Sequence, residues 1–381
     1  MSFFHAMCAG EEGAPNRTAG PEGNMSCDPS LSGYRYFGAL LGLLVTAGGG
    51  AGNLLTVLAF AADARLRTRF NLLILNLTLA DLVYCAGLQP LTVQTYLRMG
   101  WAHGARGCRL FGLLLFASNL ISILNLVNIA VARYVLVSDP RRFDRTYGGR
   151  ALPLFLLGPW LLSLAVLAPF WCVFRFLPPV CTCSFHRTAG RPYTTVLHAA
   201  SFGLGLGSIG VCYLLIHRKM RAAARAVRRH AARVGPPPPP SSSEGAGSAE
   251  LSAGGPEAES GATASEGGTG GGRLRRAATR WRGRRGRRGS GSGEAEFRRV
   301  TAMCFAMFLV YLGSYLPFCL AHLAGRRVPS VLQTLAGNLT WLNSCLNPLL
   351  YAAMNRQFRA AYGALLRWPG GTPRARSVVR R

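Results

Sequence analysis

Seven stretches of this chain are too long and too apolar to fit the core of a water-soluble domain: Phe37–Ala62, Asn71–Leu97, Phe111–Val137, Ala151–Trp171, Tyr193–Ile216, Val300–Leu323 and Val331–Ala353. A bilayer's hydrocarbon core is about 30 Å thick, and a helix rising about 1.5 Å per residue crosses it in about 20 residues. Each stretch meets that length. In lipid every backbone N–H and C=O must be paired within the protein, which leaves only helices and closed barrels as spanning structures. The expected fold is an all-α membrane protein, a seven-transmembrane helix bundle.

The placement of charge gives the orientation. The net charge is +28, and Lys219 is the single lysine, so the basicity is arginine. Arg65, Arg67 and Arg69 follow the first stretch, and Arg141, Arg142, Arg145 and Arg150 follow the third. Many more lie between the fifth and sixth, and Arg356, Arg359 and Arg367 follow the seventh. Basic loops stay in the cytoplasm. The N-terminus is therefore expected outside, where Asn16 and Asn24 stand in glycan-acceptor triplets. The triplets at Asn76 and Asn338 fall within apolar stretches and are expected to be silent. Residues 1–33 have no basic start and no continuous apolar core, so the first helix is expected to act as the insertion signal.

This gives five regions: an outer tail, 1–35; helices one to five, 36–222; a long, largely disordered basic cytoplasmic loop, 223–297; helices six and seven, 298–354; and an amphipathic helix with a tail, 355–381. HRKMRAAARAVRRHAARV favours continuation of the fifth helix, since alanine and arginine are strong helix formers. Pro236–Pro240 then forbid it. Residues 236–272 contain little that packs, which predicts disorder. The arginine block 273–288 with Trp281 could bind nucleic acid, but beside a membrane it is better read as drawn to anionic lipid. In NRQFRAAYGALLRW, Phe358, Tyr362 and Leu365–Leu366 recur at helical spacing against arginines, which predicts a short eighth helix on the inner membrane face. No cysteine is present there for lipidation, so anchoring falls to the aromatic and basic residues.

Polar groups within lipid need a reason. Asp81 lies in the second stretch, Ser122 in the third, and Asn343, Ser344 and Asn347 in the seventh. A buried carboxylate must be paired or neutral, and oxygen-bearing partners from other helices can enclose a small hard cation such as sodium. The chemistry implies no other cofactor.

Asn53 in GN, LxxxD ending at Asp81, Trp160, Pro317 and Asn347-Pro348-Leu349-Leu350-Tyr351 recur in the order and places found in the rhodopsin-like family of G-protein-coupled receptors. The resemblance covers the chain apart from the outer tail and the insert. It implies a sodium site at Asp81, Ser122, Asn343, Ser344 and Asn347. It also implies a switch using Tyr213, Asn347, Pro348 and Tyr351 and an output contact at Arg133 and Tyr134. The partners implied are a heterotrimeric G protein, arrestin and a receptor kinase, and the location is the plasma membrane. LRTRFNLLILNLTLADLVYC, FGLLLFASN, VCTCSF, GRPYTT, NLTWLN and YAAMNRQFRAAYG are similar to a narrower branch, receptors for medium-chain fatty acids that couple to an inhibitory G protein.

The sequence departs from the wider family in three places. Ala132 precedes Arg133 where an aspartate is usual. Tyr315 stands two residues before Pro317 where tryptophan is usual, so Tyr311 and Tyr315 are expected to form the aromatic switch. The fifth helix has Gly203, Gly205 and Gly207 in place of a proline. Without the aspartate, Glu296 is the nearest acid at the base of the sixth helix and is expected to restrain Arg133 only in part.

Cys108 starts the third helix on the outer side, and CTC offers it Cys181 or Cys183. The resemblance favours Cys183 and leaves Cys181 to Cys27. An amine ligand needs a carboxylate seven residues before Ser122, where this chain has Leu115. The outer half carries Arg98, Arg175, Arg187 and Arg191 and little acid. Arginine pairs a carboxylate through two parallel bonds, and apolar walls suit an alkyl tail. The expected site has Arg187 on the carboxylate, Asn119 on a polar part of the ligand, and Leu115, Phe116 and Tyr315 as lining. A receptor for another lipid or a chemoattractant is the alternative. A transporter is more distant, since seven dissimilar stretches show no paired repeats. No Ser/His/Asp set or metal-spaced histidines support an enzyme.

Overall fold

The computed structural model describes residues 25–185, 191–234, 271–324 and 327–367. It divides into two units, Met1–Arg218 with Glu296–Arg381, and Lys219–Ala295. All seven apolar stretches are helical. We label their helices α1 (Arg35–Ala62), α2 (Arg69–Arg98), α3 (Gly104–Ser138), α4 (Leu152–Leu167), α5 (Arg191–Val234), α6 (Gly271–Ala324) and α7 (Ser330–Leu339 and Trp341–Met354). Among the described residues five spans, those of α1 to α4 and the Arg298–Ala324 part of α6, are long and apolar enough on their own to cross a membrane. α7 is interrupted at Thr340.

α1 and α2 each contain one wider π turn, Val45–Gly49 and Tyr84–Leu88, and these turns pack against each other. The large apolar side chains left exposed, such as Leu154, Leu157 and Leu161 of α4, form the surface expected to meet lipid acyl chains. α5 and α6 meet through Tyr213, whose ring lies 5.4 Å from Phe305 and 6.4 Å from Phe308. Gly205 lies against α3 so closely that a Cβ there would stand 2.5 Å from Ile123 Cδ1. This accounts for one of the three fifth-helix glycines.

Helix reaches further into the third cytoplasmic loop than a largely disordered 223–297 implies. α5 runs to Val234, as the alanine- and arginine-rich sequence favours, and α6 starts at Gly271. Residues 235–270, which hold most of the segment expected to be disordered, lie outside the described residues.

On the outer side a hairpin of β1 (Phe174–Leu177) and β2 (Thr182–Phe185) pairs antiparallel, with Phe174 opposite Phe185 and Phe176 opposite Cys183. Gly112 of α3 sits under it. A Cβ there would come within 2.7 Å of the Phe174 ring, so glycine lets the hairpin seat on the helix. The amide of Cys27 donates to the Met99 carbonyl (2.9 Å), and that of Asp28 to the Pro178 carbonyl (2.9 Å). The chain ahead of α1 is thereby joined to the first and second outer loops.

The eighth helix, α8 (Arg356–Leu366), forms as expected, with the Asn355 side chain capping the Gln357 amide at 2.9 Å. Its aromatic residues correct the anchoring expectation. Phe358 and Tyr362 turn into the bundle, leaving Leu366 exposed. Phe358 packs between Phe60 (5.6 Å) and Tyr351 (5.2 Å), and the Tyr362 and Thr56 hydroxyls share a 2.7 Å hydrogen bond. A helical face opposite arginines is equally suited to lipid or protein, and here the aromatic pair packs against protein.

Candidate functional site

At mid-membrane the carboxylate of Asp81 is fully buried. Asn347 Nδ2 donates to its Oδ2 at 2.8 Å and Ser122 Oγ to its Oδ1 at 3.4 Å, and Ser344 is also within reach. Nearby, Asn53 Nδ2 donates to the carbonyls of Gly49 and Ser344, both at 2.9 Å, fastening α1 to α7. Asn343 Oδ1 and Nδ2 and Asn347 Oδ1 are buried without a hydrogen bond among the described residues. A buried oxygen without a partner is costly. The two amide oxygens, the Ser122 hydroxyl and the carboxylate are therefore a donor set suited to a hard cation. The five residues expected to hold sodium thus fit it chemically.

The site is supported by side chains the sequence did not single out as functional. Asn76 Nδ2 donates to Asn125 Oδ1 (2.7 Å) and the Leu156 carbonyl (2.9 Å), and Trp160 Nε1 donates to Asn76 Oδ1 (3.0 Å). Asn338, the asparagine of the other triplet in an apolar stretch, is also buried and bonded: its Oδ1 accepts from Tyr96 Oη at 3.1 Å, and its Nδ2 donates to Tyr34 Oη at 3.0 Å.

At the inner end Arg133 is buried at the foot of α3, 3% exposed, and Ala132 beside it is fully buried. Arg133 Nε and Nη2 donate to Thr301 Oγ1 on α6 at 3.0 and 2.9 Å, and the guanidinium lies 5.4 Å from the Phe70 ring centroid. The restraint expected of Glu296 is supplied instead by a neutral hydroxyl. Glu296 Oε1 accepts from Gln357 Nε2 at 2.9 Å. Sequence reasoning missed Thr301 because a lone threonine in an amphipathic helix gives no signal. Tyr134 is half-buried. Tyr213 is buried on α5, and the buried Tyr351 hydroxyl forms no hydrogen bond among the described residues. Pro317 and Pro348 lie inside α6 and α7.

In the outer half the Tyr311 and Tyr315 rings stack at 4.4 Å. Tyr315 Oη donates to Asn119 Oδ1 at 2.7 Å, so this acceptor of Asn119 is engaged by α6. Phe116 meets Phe185 at 4.7 Å and Phe174 at 5.8 Å. Phe174 and Phe185 are 4.4 Å apart, and together the three rings form an apolar wall beneath the hairpin. Leu115 is partly buried against a separate cluster that includes Cys108, Phe111 and Cys183. Both expected disulfides form, Cys108–Cys183 with Cα atoms 5.4 Å apart and Cys27–Cys181 at 4.8 Å. Cys172, given no role from sequence, is disulfide-bonded too. Arg98 is exposed, and Arg175 lies on β1 opposite Ser184. Arg187, Asn16 and Asn24 lie outside the described residues, as does the side chain of Arg191.

A buried arginine on α3, an Asp81–Asn347 bond between α2 and α7, and a hairpin tied to the top of α3 can now be compared with known proteins. The model of the seven-transmembrane receptors of the rhodopsin family matches residues 52–351. The chain belongs to that family. As a receptor of this kind it is a multi-pass protein of the plasma membrane whose partners are a ligand and a G protein. The receptor is 44% identical to G-protein coupled receptor 84 of Mus musculus and 44% identical to that of Homo sapiens, each over 91% of this chain and 96% of the relative. It is 25% identical to the melatonin receptor type 1B of Mus musculus, over 85% of this chain and 76% of that receptor.

Proposed function

We propose that this receptor responds to medium-chain fatty acids or related apolar carboxylates and signals through an inhibitory G protein. The observation that carries the reading is the wall of Phe116, Phe174 and Phe185 at a hairpin pinned at Cys108–Cys183; Arg187 follows Phe185 by two residues in the sequence. An alkyl chain gains about 0.8 kcal/mol per buried CH2 against such a wall. A carboxylate at the wetter end is suited to an arginine fork. Leu115 in the place of an acid gives an amine no partner. Leu115, Phe116, Asn119 and Tyr315 line the site in this reading.

Sodium would be held by Asp81, Ser122, Asn343, Ser344 and Asn347, where it would neutralise the carboxylate and bridge α2, α3 and α7 in the resting state. Output runs through Arg133 and Tyr134, released as α6 moves outward about Pro317 and as Tyr213, Tyr311, Pro348 and Tyr351 rearrange. Arrestin and a receptor kinase act on the same cytoplasmic face, and the arginine block 273–288 associates with anionic lipid. The reading is tested with a saturated fatty-acid series of increasing length, measured by inhibition of cyclic AMP in cells expressing the receptor. A maximum at intermediate length supports it. Silence across the series while the receptor is at the surface overturns it.

A further inference from the structure

Glu296, at the foot of α6, spends its carboxylate on α8. Its Oε1 accepts from Gln357 Nε2 at 2.9 Å. Neither the ligand site nor the buried donor set around Asp81 uses this bond. Its partner stands on a fixed platform. The buried Asn355 side chain caps the Gln357 amide at 2.9 Å. The next residue, Phe358, is fully buried between Phe60 and Tyr351. One turn on, Tyr362 shares a 2.7 Å hydrogen bond with Thr56 of α1. Arg359 Nη1 donates to the Ala353 carbonyl near the end of α7 at 3.3 Å. Gln357 is thus held by α1 and α7, and through Gln357 so is the foot of α6.

A carboxylate suits this place. Gln357 lies in the first turn of α8, where the helix dipole favours negative charge. Arg298 and Arg299 on α6, and Arg356 and Arg359 on α8, flank the pair in sequence with positive charge. The bond also has the longer lever arm. Along α6 Glu296 lies about 32 Å from Pro317 and Thr301 about 24 Å, at about 1.5 Å per residue. A swing about Pro317 displaces the more distant residue further, so this bond is stretched at a smaller angle than those of Arg133 to Thr301.

We propose that Glu296 and Gln357 form a second resting-state clasp, from α6 to α8, which acts in parallel with the Arg133–Thr301 contact and must open for α6 to swing outward. Thr301 holds α6 to α3, and Glu296 holds it to the side of α7 and α8. The clasp rests on the outward movement of α6 in the function proposed above. It uses neither the fatty-acid ligand nor the choice of G protein.

The test uses the full-length receptor in nanodiscs without ligand, and takes two readings. One is nucleotide exchange on an added inhibitory G protein. The other, with no G protein present, is alkylation of Cys304 by a polar maleimide, located by mass spectrometry. Cys304 is 2% exposed and bonds with Tyr213 of α5, so its alkylation reports the opening of α6. Gln357→Ala and Glu296→Ala should each raise both readings about two- to fivefold, as for an exposed bond with one charged partner. The double variant should go no further than either, and a larger rise overturns the pairing. Gln357→Arg sets a guanidinium opposite the carboxylate and should lower both readings below those of the unmodified receptor. Glu296→Ala/Gln357→Arg should lose that decrease. Misfolding raises alkylation and cannot imitate it. Alkylation that rises without exchange supports the clasp and counts against the choice of G protein. Thr301→Val separates the clasp from the movement it restrains. If Thr301→Val raises alkylation and the Glu296 and Gln357 variants do not, the clasp is overturned and the movement of α6 stands. If none of them raises it, the movement fails and the clasp with it.

Discussion

Thr301 Oγ1 on α6 accepts two hydrogen bonds from the Arg133 guanidinium on α3, at 3.0 and 2.9 Å. The chain has Ala132 where most of its family has an acid beside this arginine, so the contact holding the feet of α3 and α6 together is a charge on a neutral hydroxyl. Hydrogen bonds to charged groups contribute about 1.5–3 kcal/mol, and Ala132 supplies no carboxylate to strengthen this one. A resting state closed by this bond is expected to open more readily than one in which residue 132 is an acid.

The first prediction concerns that contact. Thr301→Val keeps the shape and removes the acceptor, so agonist-free nucleotide exchange on an added inhibitory G protein should rise several-fold. Ala132→Asp supplies the missing carboxylate, and the same rate should fall below that of the unmodified receptor. Background-level exchange in the unmodified receptor, unmoved by Thr301→Val, would show that Thr301 restrains nothing.

Asp81 supports the second. With the Asn343 and Asn347 amide oxygens buried without a hydrogen bond among the described residues, a sodium ion bound at Asp81 should favour the resting state and oppose agonist. Replacing choline by sodium at constant ionic strength should lower agonist affinity several-fold in the unmodified receptor. Asp81→Asn, which removes the charge and keeps the hydrogen-bonding size, should abolish that difference. Sodium dependence that survives in the variant would place the ion elsewhere.

Asp81, Asn53 and Asn347 were legible in the sequence because a polar group in a long apolar run has few reasons to be there, and each proves to bond across helices. The hairpin disulfides were legible only through family resemblance, since CTC offers two thiols and spacing cannot choose between them. Thr301 was not legible. Its partner lies 168 residues away, and an isolated hydroxyl near a helix end resembles an ordinary surface threonine. Phe358 and Tyr362 were placed on the correct helical face, but periodicity identifies a stripe and not what covers it.

The ligand pocket gives the third prediction. Tyr315 Oη donates to Asn119 Oδ1 at 2.7 Å and so joins α3 to α6; in the proposed reading both residues line the ligand site. Tyr315→Phe should leave fatty-acid binding within about threefold while raising agonist-free exchange, because it frees α6 and leaves the ring stack on Tyr311 in place. Arg187→Ala, by contrast, should remove the response to carboxylates at least about a hundredfold, in keeping with loss of a charge-assisted pair, at normal surface expression. An unchanged dose response in Arg187→Ala removes that residue from the site.

The last prediction separates protein packing from lipid anchoring in α8. The Tyr362–Thr56 bond and the seat of Phe358 between Phe60 and Tyr351 fasten this helix to α1 and α7. Tyr362→Phe keeps the ring and loses the bond, a cost of about 1 kcal/mol, and should lower the melting temperature in detergent by roughly 2 °C. Leu366→Ala removes an exposed side chain and should leave it unchanged. Burial pushes the Tyr362 phenol up from its ordinary value to about 12, against the pull of Thr56. A group raised on folding stabilises fully below its unfolded value, about 10, and loses that contribution as pH climbs through about 12. The Tyr362→Phe difference should therefore be constant from pH 6 to 9 and shrink above about 10. A larger loss in Leu366→Ala than in Tyr362→Phe would mean that α8 is held by the membrane and not by Thr56.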